Sequence, residues 1–174
     1  MAAAIAITLV SPGLAADKEN TLLITLNDGT VEIALNPDVA PQHTTRLKEL
    51  AREGFYDGVV FHRVIDGFMA QTGDPTGTGM GGSQKPDLPA EFSNVPFQRG
   101  TVGMARSSNP NSANSQFFIM FDEGSFLNGQ YTVVGQVTTG MEYVDSIKKG
   151  DSAANGVVQD PDKMLKVQVA ADAQ

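Results

Sequence analysis

At 174 residues, 41% hydrophobic and 18% charged, the chain has the length and make-up of one globular domain with its own core. A net charge of −8 with no basic run argues against a nucleic-acid surface, because that affinity comes from Lys and Arg neutralising phosphates. The absence of cysteine excludes disulfides, a thiolate nucleophile and cysteine-bound zinc, while 18 glycines and 9 prolines favour a turn-rich β fold over a helical bundle.

Residues 1–16, MAAAIAITLVSPGLAA, combine an apolar run from Ala2 to Val10, a Ser11-Pro12-Gly13 break and small residues at Ala15 and Ala16. That order is the h-region and cleavage region of a secretory signal, too short to span a bilayer. No Lys or Arg precedes the run, so an alanine-rich tail is the alternative. The expectation is an exported, periplasmic protein, or otherwise a cytoplasmic one, with residues 17–174 as a single domain. Next, Leu22, Ile24 and Leu26 alternate, Asn27-Asp28-Gly29 turns the chain, and Val31, Ile33 and Leu35 alternate again, which predicts a β-hairpin.

From Pro37 to Glu53 the period becomes helical, with Val39, His43, Leu47, Leu50 and Ala51 on one face and Gly54 as the stop. His43 on that stripe reads as a half-buried packing residue. Short strands are predicted at Val59–Val64, Phe68–Thr72, Thr101–Ala105, Gln116–Met120, Tyr131–Val137 and Lys163–Ala170, with a second helix over Met141–Lys149. This order, without β-α-β alternation, predicts an antiparallel sheet closed into a barrel or folded as a sandwich. The long irregular stretch from Gly73 to Gln98 is of a length that is usually functional or mobile.

Several motifs fail on context. Gly77-Thr78-Gly79-Met80-Gly81-Gly82 fits G-x-G-x-x-G by letter, but the following Ser83-Gln84-Lys85-Pro86 cannot open the helix that dinucleotide binding requires. No G-x-S-x-G elbow supports a serine hydrolase, nothing nominates a carboxylate pair, and no spacing suggests a metal site. His62, beside Arg63, is turned away from it by strand alternation and reads as structural.

Three segments remain: Phe61-His62-Arg63-Val64-Ile65 with Gly67-Phe68-Met69-Ala70-Gln71-Thr72-Gly73-Asp74; Ser115-Gln116-Phe117-Phe118-Ile119, introduced by Gly103-Met104-Ala105; and Phe126-Leu127-Asn128-Gly129 with Val133-Val134-Gly135. Together, and in this order, they resemble the signatures of the cyclophilins, over about Thr21 to Ala170. The resemblance implies a mainly β fold, a closed eight-stranded antiparallel barrel capped by two α-helices, and peptidyl-prolyl cis-trans isomerase activity without cofactor or metal. It implies Arg63 as the catalytic donor and Gln71 as the partner that binds the substrate carbonyl and orients the arginine. Phe68, Met69, Phe118 and Leu127 would form the proline pocket, with Phe61 and Ile65 nearby. Gln116 and the Ala105-Arg106 backbone would bind the flanking peptide. The implied partners are proline-containing unfolded or extended polypeptides, with no nucleic acid and no membrane, and a monomer is the default. The alternative is a module that binds proline segments, chaperone-like, with little turnover.

Strand parity turns the implied pairing of Arg63 with Gln71 into a prediction about the loop between them. A two-residue Asp66-Gly67 turn would put Arg63 and Gln71 on opposite faces, so an odd loop or bulge is expected at Gly67. Four positions depart from the family pattern. Phe126 stands where animal members carry a tryptophan whose indole N–H contacts cyclosporin, so weak cyclosporin binding is expected. Tyr131, a substrate-binding position by resemblance, is histidine in many relatives. The loop Arg106 to Ala113 is a residue longer than the animal one, and Thr45-Arg46-Leu47 replaces a more usual Asn-Phe pair.

Overall fold

A computed structural model describes residues 17–174, and the predicted leader lies outside the described residues. The predicted hairpin is present as β1 (Thr21–Thr25) and β2 (Thr30–Leu35), with Leu22 opposite Ile33 and Ile24 opposite Val31, all four buried. Helix α1 (Pro41–Arg52) begins four residues later than its period suggests. Proline disfavours α geometry in the residue before it, and Ala40 accordingly sits at φ −139°, ψ 70°. Pro41 itself, lacking an N–H, suits the first helical position. Val39 therefore falls in a turn closed on the Asn36 carbonyl, while His43, Leu47, Leu50 and Ala51 face inward as predicted.

Ala40 has no side chain with which to cap the helix, and Glu91 supplies the cap from far along the chain. Its carboxylate accepts the N–H groups of Gln42 and His43, both at 3.1 Å, and the His43 Nδ1 lies 2.6 Å from Oε2. His43 is thus fully buried and paired, not half-buried packing. Arg46, also buried, donates to the carbonyls of Pro86 and Asn114, which ties α1 to the long irregular segment.

The remaining elements are β3 (Arg63–Ile65), β4 (Met69–Thr72), β5 (Thr101–Met104), β6 (Phe117–Met120), β7 (Val133–Thr139), α2 (Met141–Asp145) and β8 (Lys166–Val169). Helix α2 stops short of the predicted Lys149 because the Lys148 N–H leaves the helical path to donate to Asp162 Oδ2 at 2.8 Å. The eight strands form one antiparallel sheet in the order β3-β4-β6-β5-β7-β2-β1-β8. The curled sheet is open, not the closed barrel expected: β3 and β8 are edge strands with no ladder between them. β3 is only three residues long, and irregular chain occupies the seam, through the Val60–Lys163 bridge and the Phe61 N–H to Asp162 carbonyl bond of 2.8 Å.

Alternation along the strands sorts the apolar side chains into two cores. Ala70, Val102, Met104, Phe117, Ile119 and Val134 join the large core under α1 and α2. Their neighbours Met69, Phe118, Met120 and Val133 point to the other face, where Phe97 and Leu127 complete a smaller cluster. The candidate site rests on that smaller cluster.

Candidate active site

Arg63 lies directly opposite Gln71, with Val64 opposite Ala70 and Ile65 opposite Met69. The connection is therefore Asp66-Gly67-Phe68, an odd loop as parity required, closed by the Phe68 N–H on the Ile65 carbonyl at 3.0 Å. Gly67 sits at φ +69°, a left-handed position that glycine adopts without steric cost. Across the next two strand pairs Gln71 faces Phe118 and Phe118 faces Gly103, so one row runs from the arginine to the aromatic floor. Gly103 is needed for space. A Cβ there would lie 2.6 Å from both Phe118 Cζ and Phe97 Cε1, where the two rings stack at a 5.7 Å centroid separation.

These residues line a cleft of about 560 Å³ that includes Arg63, Phe68, Met69, Gln71, Ala105, Arg106, Phe118, Leu127 and Tyr131. Met69, Phe118 and Leu127 are its buried apolar floor. Tyr131 stands edge-on to Phe118, 5.9 Å between centroids, and the Arg106 guanidinium covers its ring at 4.4 Å. Arg106 is itself fixed by two hydrogen bonds to the Gln130 carbonyl. Gln116 lines an adjoining depression of about 480 Å³ that shares Gln71, Gly79, Ala105 and Arg106 with the cleft.

Three predicted positions sit elsewhere. Phe61 is 1% exposed and belongs to the large core, outside the cleft lining. Ile65 packs beside the smaller cluster without lining the cleft. Phe126, 64% exposed, leans on the cleft residue Phe68 at 5.4 Å between centroids without lining the cleft itself. His62 moves the other way: expected to turn from Arg63, it is a buried part of the cleft wall. Regular β3 starts only at Arg63, so period-2 alternation does not extend back to residues 61 and 62. Neither His62 ring nitrogen has a hydrogen-bond partner among the described residues, and burial holds its pKa below the usual imidazole value despite nearby Asp74.

A hydrogen-bond relay sets the orientation of the polar groups. Gln116 Nε2 donates to the carbonyls of Gly79 and Gly81 at 3.0 and 2.9 Å. Carbonyls only accept, so the Gln116 amide has a single sense, and its Oε1 takes the Gln71 Nε2 hydrogen at 2.9 Å. That leaves Gln71 Oε1 to accept from Arg63 Nη1 at 3.1 Å. The glycine loop at the far end is wrapped around Asp74. Asp74 Oδ2 accepts the N–H groups of Gly79 (2.6 Å), Thr78 and Gly81 (both 3.1 Å), and Oδ1 accepts that of Thr76 at 2.8 Å. The G-x-G-x-x-G segment thus forms an anion nest filled by the chain's own carboxylate. Burial alone would raise the Asp74 pKa, but the bonds from Thr76, Gly81 and Gly79 outweigh it and bring it down to about 2.

Arg63 is held on its other side by Asn155, through Nε to the backbone carbonyl and Nη2 to Oδ1, each at 3.0 Å. Sequence reasoning missed Asn155, Val157 and the Gly77-Thr78-Gly79 wall. The Asn155-Gly156 pair carries a turn signal, but nothing in it points to a partner 92 residues away. Burial lowers the Arg63 pKa, with Tyr131 opposing, yet a guanidinium starts so high that it stays charged. Among the described residues no group of His, Cys, Asp or Glu is placed to hold a metal ion.

A family model described as cyclophilin type peptidyl-prolyl cis-trans isomerase/CLD matches residues 21–169. A Brucella suis protein named probable peptidyl-prolyl cis-trans isomerase is 59% identical over 180 residues, covering 97% of this chain and 92% of the relative. Peptidyl-prolyl cis-trans isomerase A of Dickeya dadantii is 36% identical over 182 residues, covering 95% and 91%. Among solved structures, cyclophilin AquaCyp293 from Hirschia baltica superposes with a TM-score of 0.81 at 27% identity, covering 91% of this chain and 77% of that one. A Cryptosporidium parvum cyclophilin-type isomerase, crystallised in the presence of the dipeptide Ala-Pro, gives 0.78 at 29% identity, covering 86% and 98%. With the Arg63–Gln71 pair above an aromatic floor and the family match spanning nearly the whole described domain, the chain belongs to the cyclophilin-type peptidyl-prolyl cis-trans isomerases.

Proposed function

We propose that Arg63 supplies the transition-state hydrogen bond for rotation about X-Pro bonds in unfolded or extended polypeptides. The barrier, about 18–20 kcal/mol, is amide resonance. At the twisted transition state the resonance is lost, the carbonyl oxygen gives up negative charge, and the proline nitrogen gains a localised lone pair. A donor that meets this nitrogen interacts in the transition state and not in the planar ground state, which is the condition for raising the rate. No covalent bond is made or broken.

The observation that carries this reading is the state of the guanidinium. Of its five N–H donors, three are spent on Gln71 and Asn155, so one hydrogen on each terminal nitrogen remains beside the apolar cleft. The floor of Met69, Phe118 and Leu127 suits a proline ring, and the adjoining depression extends the trough for flanking residues. Unspent donors favour turnover over a module that only binds. A single charge-assisted hydrogen bond contributes roughly 1.5–3 kcal/mol, or about 10- to 150-fold in rate. Isomerisation of a Xaa-Pro peptide by Arg63→Ala should fall by that factor with the melting temperature little changed. Equal rates for the two proteins would sink the mechanism.

A further inference from the structure

Asn155 reaches Arg63 from a segment that runs along the free edge of β3. The Val64 N–H donates to the Gly156 carbonyl and the Gly150 N–H to the Val64 carbonyl, both at 2.8 Å, and the Val158 N–H donates to the His62 carbonyl at 3.2 Å. Within the segment, Asp151 caps a short 3-10 turn over Ser152–Ala154 by accepting the Ala153 N–H at 2.9 Å. Asn155 ends that turn at φ 55°, ψ 34°, a left-handed conformation that asparagine tolerates better than most L residues. This backbone turns two oxygens of one residue towards one guanidinium, the carbonyl to Nε and Oδ1 to Nη2.

We infer that Asn155 is a positioning residue for isomerisation, a neutral two-point clamp that fixes the plane of the Arg63 guanidinium. The inference rests on the reading of Arg63 as the transition-state donor. Gln71 holds the guanidinium at Nη1 only, and a single bond leaves a long side chain free to swing. Contacts at Nε and Nη2 remove that freedom and direct the unspent hydrogens to the cleft. Both clamp oxygens belong to an uncharged amide, so they orient the cation without neutralising it.

Asn155→Gly separates this role from a structural one. Glycine adopts the left-handed turn freely and keeps the backbone carbonyl, so only Oδ1 is lost. The expected result is a fall in kcat of about 5-fold, the factor for one net hydrogen bond, with KM near wild type and an unchanged or higher melting temperature. The side-chain NMR signals of Arg63 give a readout independent of turnover. Held terminal N–H groups rotate slowly and give separate resonances, and these should merge in Asn155→Gly. Wild-type kcat, an unchanged Arg63 spectrum, or a rate loss that only tracks unfolding would each overturn the clamp. Full activity in Arg63→Ala would instead remove the reading beneath it, whatever the Asn155→Gly spectrum shows.

Discussion

Asp74→Asn should destabilise the fold by an amount that depends on pH in a defined way. The carboxylate accepts four backbone N–H groups at 2.6 to 3.1 Å and the Thr76 hydroxyl at 2.8 Å. An amide replaces one acceptor oxygen with a donor that faces other donors, and it removes the charge. Loss of one hydrogen bond to a charged group costs about 1.5–3 kcal/mol. Linkage gives a consistent magnitude: a carboxyl at about 2 in the folded state, against about 3.9 unfolded, contributes on the order of 2.5 kcal/mol at neutral pH. For a domain of this size that corresponds to a melting temperature lower by roughly 5–10 °C. Because the folded pKa is depressed, this stability is fully present above the unfolded pKa and is lost as pH falls towards about 2. Urea denaturation of both proteins across acidic and neutral pH should show a constant gap above pH ~5 that narrows below pH ~4. Equal stability at neutral pH, or a gap undiminished near pH ~2.5, would refute the filled-nest account.

Glu91→Gln removes the charge that caps α1 and pairs with His43. Burial pushes the Glu91 pKa up, but the bonds from His43 and the Gln42 and His43 N–H groups outweigh it, leaving it below the ordinary carboxylate value. The variant should lose about 1–2 kcal/mol in urea denaturation at neutral pH. That difference should shrink as acid protonates Glu91 in the wild type, and a difference independent of pH would count against the carboxylate cap. Beside Phe68, the Phe126 side chain carries no N–H and its exposed ring leaves room for a larger one. Wild-type activity should therefore resist cyclosporin, and Phe126→Trp should tighten inhibition by about 5- to 10-fold through one added donor. Nanomolar inhibition of the wild type would contradict this.

What could be read from the sequence was local. Once the resemblance pairs Arg63 with Gln71, the odd loop at Gly67 follows from counting residues, because strand period and turn length act over a few positions. The later start of α1 was also within reach, since Pro41 constrains Ala40 more firmly than the apolar period places Val39. Alternation misplaces His62 because regular strand begins only at Arg63, and the resemblance places Phe61 beside a pocket while its side chain belongs to the large core. The open seam, the Glu91 cap and the Asn155 clamp join residues tens of positions apart, and each donor or acceptor taken alone has many equivalent partners. The G-x-G-x-x-G loop lies between these cases. Its context rules out a dinucleotide site, but the nest of N–H groups and its occupant, Asp74 from just beyond the strand before it, emerge only in the structure.

The three acceptors on Arg63 share a property that bears on why an arginine stands in so apolar a stretch. Gln71 Oε1, the Asn155 carbonyl and Asn155 Oδ1 are all neutral amide oxygens. A carboxylate in any of these places would hold the guanidinium more tightly. It would also cancel the positive field and, in the mechanism we propose, compete with the weakly basic lone pair that forms on the proline nitrogen. Neutral acceptors separate orientation from neutralisation. The carboxylate that organises the site acts from a distance: Asp74 organises the glycine loop, the loop fixes Gln116, Gln116 fixes Gln71, and only then is the arginine reached. The negative charge that rigidifies the site is spent on backbone N–H groups, and the positive charge beside the cleft stays available.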